Sequence, residues 1–179
     1  MFRFLALLPL LILPLRSAPT STPHLSLPSG AVLVSSLALK GSAGGVAVIY
    51  RTHADFVGVE TDSSGSYRLT WSQKLTGRAT RIKASPHAGI FFVVSTGDSP
   101  SRTCLGAFAV SGSNVKSALS GASSAIQCGD RGVLMGRNRL IVARSDPAHK
   151  GSVPYRIQTS YVWSAGRFRL ASMSRVPDY

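Results

Sequence analysis

Between Ala31 and Val176 one order of short apolar runs and small-residue turns recurs three times, and this recurrence limits the fold more than any other feature. The first copy, about 31–75, reads AVLVSSLAL (31–39), a GSAGG turn (41–45), VAVIY (46–50), DFVGVET (55–61), a DSSG turn (62–65) and SYRLTWSQKL (66–75). β-branched and aromatic residues fill the runs, and glycine, serine and aspartate bound them, as in strands joined by tight turns. In the last run Tyr67, Leu69 and Trp71 alternate with Arg68, Thr70 and Ser72, which predicts the two sets on opposite faces of a sheet. The second copy, about 78–120, has runs at 78–85, 89–96, 102–110 and 114–119. The third, about 125–176, has them at 125–136, 138–145, 154–164 and 166–176.

The second run of each copy starts near Val46, Ile90 and Arg139, giving steps of 44 and 49 residues. A period in this range with four strands per unit is the spacing of β-propeller blades. The expected architecture is therefore all-β: one domain over 31–179, with about twelve short antiparallel strands in three four-stranded, blade-like repeats. A β-sandwich is the alternative. Three blades fall short of the roughly four to eight in a closed ring, so a single chain does not complete one; two copies would make six. The chain carries no Trp-Asp dipeptide, no paired-glycine kelch pattern and no acidic calcium-binding loop. A transmembrane barrel needs strands of about 9–11 residues with a lipid-facing band, whereas arginine interrupts both faces of these runs.

Ahead of the repeats, Arg3 followed by the apolar run Phe4–Leu15 and then Arg16-Ser17-Ala18 has the order of an export signal, assigned to 1–18. The run is short of the roughly 20 apolar residues of a spanning helix, and Pro9 and Pro14 interrupt it. Residues 19–30 read as a spacer. This predicts a secreted or periplasmic protein; an uncleaved, membrane-anchoring segment is the alternative.

In that setting Cys104 and Cys128, the only cysteines, are expected to form a disulfide. They belong to no CxxC pair, which excludes a thioredoxin-like motif. Of the 20 basic residues, Arg3 and Arg16 leave with the signal, so 18 face 7 acidic ones and the net charge is +11. Such a surface attracts a polyanionic polymer, an anionic lipid surface or an acidic protein. The basic residues are spread from Lys40 to Arg175 without a long run, which does not suit a sequence-specific nucleic-acid reader.

No catalytic set emerges. Asp62, Asp98, Asp130, Asp146 and Asp178 sit beside glycine, proline or serine, where aspartate holds turns through its own side chain. Asp55 with Glu60, the only glutamate, is the one carboxylate pair that a glycosidase reading has to work with. His24, His53, His87 and His149 stand at no metal-ligand spacing, and no cofactor motif is present. Asp146 with His149 is the tightest constellation, and no G-x-S-x-G elbow accompanies it.

The best candidate binding surface is Arg156, Arg167 and Arg169 with Trp163, aromatic and guanidinium groups on neighbouring strands that suit sugar stacking or polyanion capture. The function expected from the sequence is a non-enzymatic binding module for an anionic partner or envelope polymer. An extracytoplasmic hydrolase and a structural subunit of an oligomeric propeller or envelope assembly are the alternatives.

Overall fold

The computed structural model describes residues 24–40, 45–63, 66–148 and 153–178, and among them every regular element is a strand. The signal assigned to 1–18 lies outside these residues, as do His149 and Lys150. Sheet 1 is a consecutive meander of β1 (Val32–Ala38), β2 (Val46–Arg51), β3 (Asp55–Ser63) and β4 (Ser66–Lys74). Sheet 2 contains β5 (Ala79–Ala84), β6 (Ile90–Ser95) and β7 (Thr103–Ser111). The free edge of β7 is shared: β8 (Asn114–Ser117) pairs with its second half. After β9 (Leu119–Ser120), β10 (Ile126–Gly129) pairs with the first half of β7. Sheet 3 is β11 (Val133–Met135), β12 (Arg139–Ser145), β13 (Tyr155–Ser164) and β14 (Arg167–Pro177), with β9 added in parallel along the edge of β14.

The three repeats thus become three antiparallel sheets, with fourteen strands among the described residues instead of twelve. One extra strand arises where the run 114–119 becomes β8 and β9, the other in 125–136, where the Asp130–Gly132 turn splits one apolar run. Its first half completes sheet 2 and its second opens sheet 3. Gly132 has φ +98°, a conformation open to glycine at little cost.

The sheets stack face to face, and β6 shows why its sequence, IFFVVS, is apolar without alternation: all six residues are buried. Phe91 and Val93 pack towards sheet 1 with Ala47, Ile49, Val57, Val59 and Phe108. Ile90, Phe92 and Val94 pack towards sheet 3 with Leu105, Leu140, Val142, Tyr161 and Phe168. A strand buried on both faces reads as a continuous hydrophobic run. In β2 the same division sends Ala47 and Ile49 to sheet 2, while Val46, Val48 and Tyr50 face the other way. That outer face is covered by Leu25, Leu27 and Ala31, so part of the segment read as a spacer packs on the fold.

One alternation is overturned. Tyr67 and Leu69 lie on the outer face of sheet 1, but Trp71 packs inward with Phe108, at 5.3 Å between ring centroids. Register passes from Val59↔Trp71 to Glu60↔Leu69, leaving Thr70 as an extra residue. Such a bulge reverses the faces beyond it. The Thr70 hydroxyl donates to the Val59 carbonyl at 3.1 Å, and Thr80 repeats the device in β5 by donating to Val94 O at 3.1 Å.

Candidate polyanion-binding face

Antiparallel hairpins give the stack two different ends. At one end lie the turns β1–β2, β5–β6, β11–β12 and β13–β14, tied to one another across the sheets. Gly89 N donates to Lys40 O at 3.0 Å, His87 Nε2 lies 3.1 Å from Arg137 O, and Trp163 N donates to Asn138 O at 2.9 Å. The His87 ring stacks on Trp163 at 3.6 Å between centroids. At the other end lie the β2–β3 and β6–β7 turns and the links from one sheet to the next.

Acidic residues concentrate at the second end, where arginines answer most of them. Asp55, whose side chain is fully buried, accepts from Arg51 Nε at 2.5 Å, Arg51 Nη2 at 3.0 Å, Arg78 Nη1 at 3.2 Å and Ala79 N at 2.8 Å. The Arg51 hydrogen bonds foremost hold its carboxyl below the usual range, against the opposing cost of burial. Asp98 pairs with Arg102 at 3.1 Å, Asp178 with Arg131 at 2.9 Å and Arg156 at 3.5 Å, and Asp146 with Arg175 at 2.5 Å. Asp130 accepts from both Ser145 Oγ and Ser145 N at 2.7 Å, which lowers its pKa, the hydroxyl contributing most.

The first end has the opposite character. Lys40, Lys83, Arg137, Arg139, Arg167 and Arg169 stand in or beside its turns, all exposed, and none has an acidic partner within 4.0 Å among the described residues. Arg139 and Arg169 flank Val162 in one cross-strand row, and Arg167 lies opposite Ser164 on the same face. Neighbouring strands are spaced about 4.8 Å apart, so Arg139 and Arg169 start about 10 Å apart and their long side chains cover one continuous surface. Between the β5–β6 and β11–β12 turns a cavity of about 390 Å³ opens beside Lys83 and Arg137, floored by Phe92. Cations gathered on turns that are tied together across the stack make a concentrated positive field.

Sequence reasoning singled out two members of this cluster. Arg167 and Arg169 belong to it. Arg156 shares their sheet face but sits about six residues away along β13, at the end where it pairs with Asp178. Trp163 points to the opposite face, half-buried against His87 and Phe168. Lys40, Lys83, Arg137 and Arg139 were not singled out. Each lies in or beside the turn between the first two strands of its repeat, β1–β2, β5–β6 or β11–β12, and that shared position was the available signal.

The other candidate residues are kept apart. Asp55 and Glu60 occupy opposite faces of β3, five residues or about 17 Å apart, too far to flank one glycosidic bond. Glu60 is buried beneath the 24–31 segment, where Ser26 N donates to Oε2 at 3.3 Å and Oε1 has no partner; burial raises its pKa. Asp146 accepts from Ala148 N at 3.0 Å in addition to its pairing with Arg175. Cys104 and Cys128 face each other across β7 and β10 and form the expected disulfide, with Cα atoms 4.0 Å apart. Among the described residues no three His, Cys, Asp or Glu side chains gather as metal ligands, and no helix is long and apolar enough to cross a membrane. Compared with known proteins, the chain matches no family model, no curated sequence and no solved structure.

Proposed function

We propose that this is an exported binding module whose hairpin-turn end captures a linear polyanion of the cell envelope or extracellular space. One observation carries the reading: the separation of charge along the stack. Arg51, Arg78, Arg102, Arg131, Arg156 and Arg175 at the linker end are paired with Asp55, Asp98, Asp146 and Asp178, with Arg144 the exception there, while six cations at the hairpin end have no acidic partner among the described residues. The disulfide agrees with an oxidising compartment, and the +11 charge after signal removal adds attraction at long range.

The test uses inorganic polyphosphate as the probe and two charge-matched double variants. Arg139→Glu with Arg169→Glu alters the hairpin end, and Lys74→Glu with Arg81→Glu makes the same change in net charge elsewhere. The first should weaken binding by about tenfold or more and flatten its salt dependence, and the second by less than about threefold. Equal losses would reduce the effect to overall charge and remove the site.

A second reading, an oligomeric assembly, is favoured by the outer face of sheet 3, where Leu134 and Val162 are exposed around Ile141. A two-copy, six-bladed ring would have to displace the 24–31 segment from sheet 1. A strict monomer in light scattering would remove this reading.

A further inference from the structure

At the far side of sheet 3 from the cationic turns, a cleft of about 300 Å³ separates β10 from the inner face of β12, β13 and β14. It exists because that face outruns the sheet it packs on. Leu140, Val142, Tyr161 and Phe168 meet sheet 2, but the next rows, Tyr161↔Leu170 and Thr159↔Met173, extend past it. Leu170 and Met173 remain 42% and 60% exposed on the face that also carries the core residues Leu140, Val142 and Tyr161. The opposite wall is β10 around Cys128, pinned to β7 by the disulfide, so the cleft has two fixed sides.

Tyr161 and Arg144 bring polar groups to this lining. Tyr161 lines the cleft, with its ring in the core and 2% of the residue exposed. A phenol hydroxyl at the wall of a cleft can donate to a ligand oxygen there. Arg144 is the one charged residue in the lining. Its neighbour two strands away, Arg175, is neutralised by Asp146 and lies over the Tyr155 ring at 5.0 Å. Arg144 has no such partner. Asp130, which lines an adjoining hollow with it, commits its oxygens to Ser145. Thr159 supplies a further hydroxyl beside them.

A guanidinium and a phenol hydroxyl next to an exposed aliphatic wall suit a molecule with an anionic head and an apolar tail. We propose that this cleft binds a small aliphatic carboxylate, its head on Arg144 and Tyr161 and its chain on Leu170 and Met173. The site is separate from the polyanion face and does not depend on it.

The experiment titrates octanoate, octan-1-ol and inorganic phosphate separately into the oxidised full chain, following the methyl NMR signals of Leu170 and Met173. Octanoate should saturate and move both signals, and each of the other probes should bind at least about tenfold more weakly, since each offers half of the recognition. Arg144→Gln, on the surface, should weaken octanoate about tenfold; Tyr161→Phe, which keeps the ring in the core, should weaken it several-fold. Arg139→Glu with Arg169→Glu should leave it unchanged. Octan-1-ol binding as tightly as octanoate would overturn the anionic half, and phosphate doing so would overturn the apolar half. Octanoate that fails to saturate, or that binds Arg144→Gln as well as the parent, would overturn the site.

Discussion

Replacing Asp55 with alanine removes the polar node that joins sheet 1 to the start of sheet 2. The carboxylate accepts two hydrogen bonds from Arg51, one from Arg78 and one from the Ala79 amide. Without it the Ala79 N–H has lost its acceptor at a site closed by the 0% exposure of Asp55, a cost of about 1–3 kcal/mol. The arginines count for less, because their side chains are 39% and 61% exposed and regain water. The expected loss is about 3 kcal/mol, at the lower edge of what breaking a buried ion pair costs. Urea unfolding at neutral pH reads it directly.

The same node has a pH signature. The folded pKa of Asp55 lies below its unfolded value, so its contribution is complete above about pH 5 and fades as acid protonates the folded state. The parent should therefore lose stability on acidification more steeply than Asp55→Ala, and the two curves should converge at low pH. A loss below about 1 kcal/mol at neutral pH, or parallel acid limbs for the two proteins, would refute the argument.

Two further outcomes follow from buried groups. Replacing both cysteines by alanine should cost about 3.5 kcal/mol, from the sequence separation of 24 residues and the chain-entropy relation, and reduction of the parent should reproduce the shift in midpoint. Glu60 behaves oppositely to Asp55: its raised folded pKa means that stability falls as pH rises from the unfolded value near 4.3 to the folded one. Glu60→Gln should accordingly gain about 1 kcal/mol at neutral pH and lose that dependence; an unchanged urea midpoint would show that the unpartnered oxygen is solvated.

The fold was legible where local pattern and global packing agree. IFFVVS at 90–95 could only be a strand covered on both sides, and the repeat placed its partners correctly. Trp71 was misplaced because a single inserted residue, Thr70, reverses strand parity, and bulges have no fixed mark in a sequence. The run 125–136 hid two strands belonging to different sheets. At the site, Arg167 and Arg169 were legible as neighbours on a strand, whereas Arg139 reaches them only through the β12–β13 register. Arg156 was grouped with them because nothing local reveals that the last aspartate, Asp178, returns to neutralise it.

The stretch from Ala118 to Gly132 belongs to two sheets at once. Ala118 N donates to Ala107 in sheet 2 at 2.9 Å, while its carbonyl accepts from Phe168 in sheet 3 at 2.9 Å. Further on β10 pairs with β7, yet Arg131 N and Gly132 O both bond Ala143 of β12 at 3.0 Å. Gly129 passes so close that a Cβ there would lie 2.0 Å from Ala143 O. Repeat proteins ordinarily unfold unit by unit, because each repeat touches its neighbours through surfaces alone. Here the second and third repeats share a thread of backbone, so neither can open without breaking hydrogen bonds in the other. The first repeat shares no strand with its neighbour and is tied to it by the Gly89 N to Lys40 O bond and by the Asp55 node. The second and third repeats are thus expected to unfold as one unit, which hydrogen exchange would read as a common protection in β7, β10 and β12.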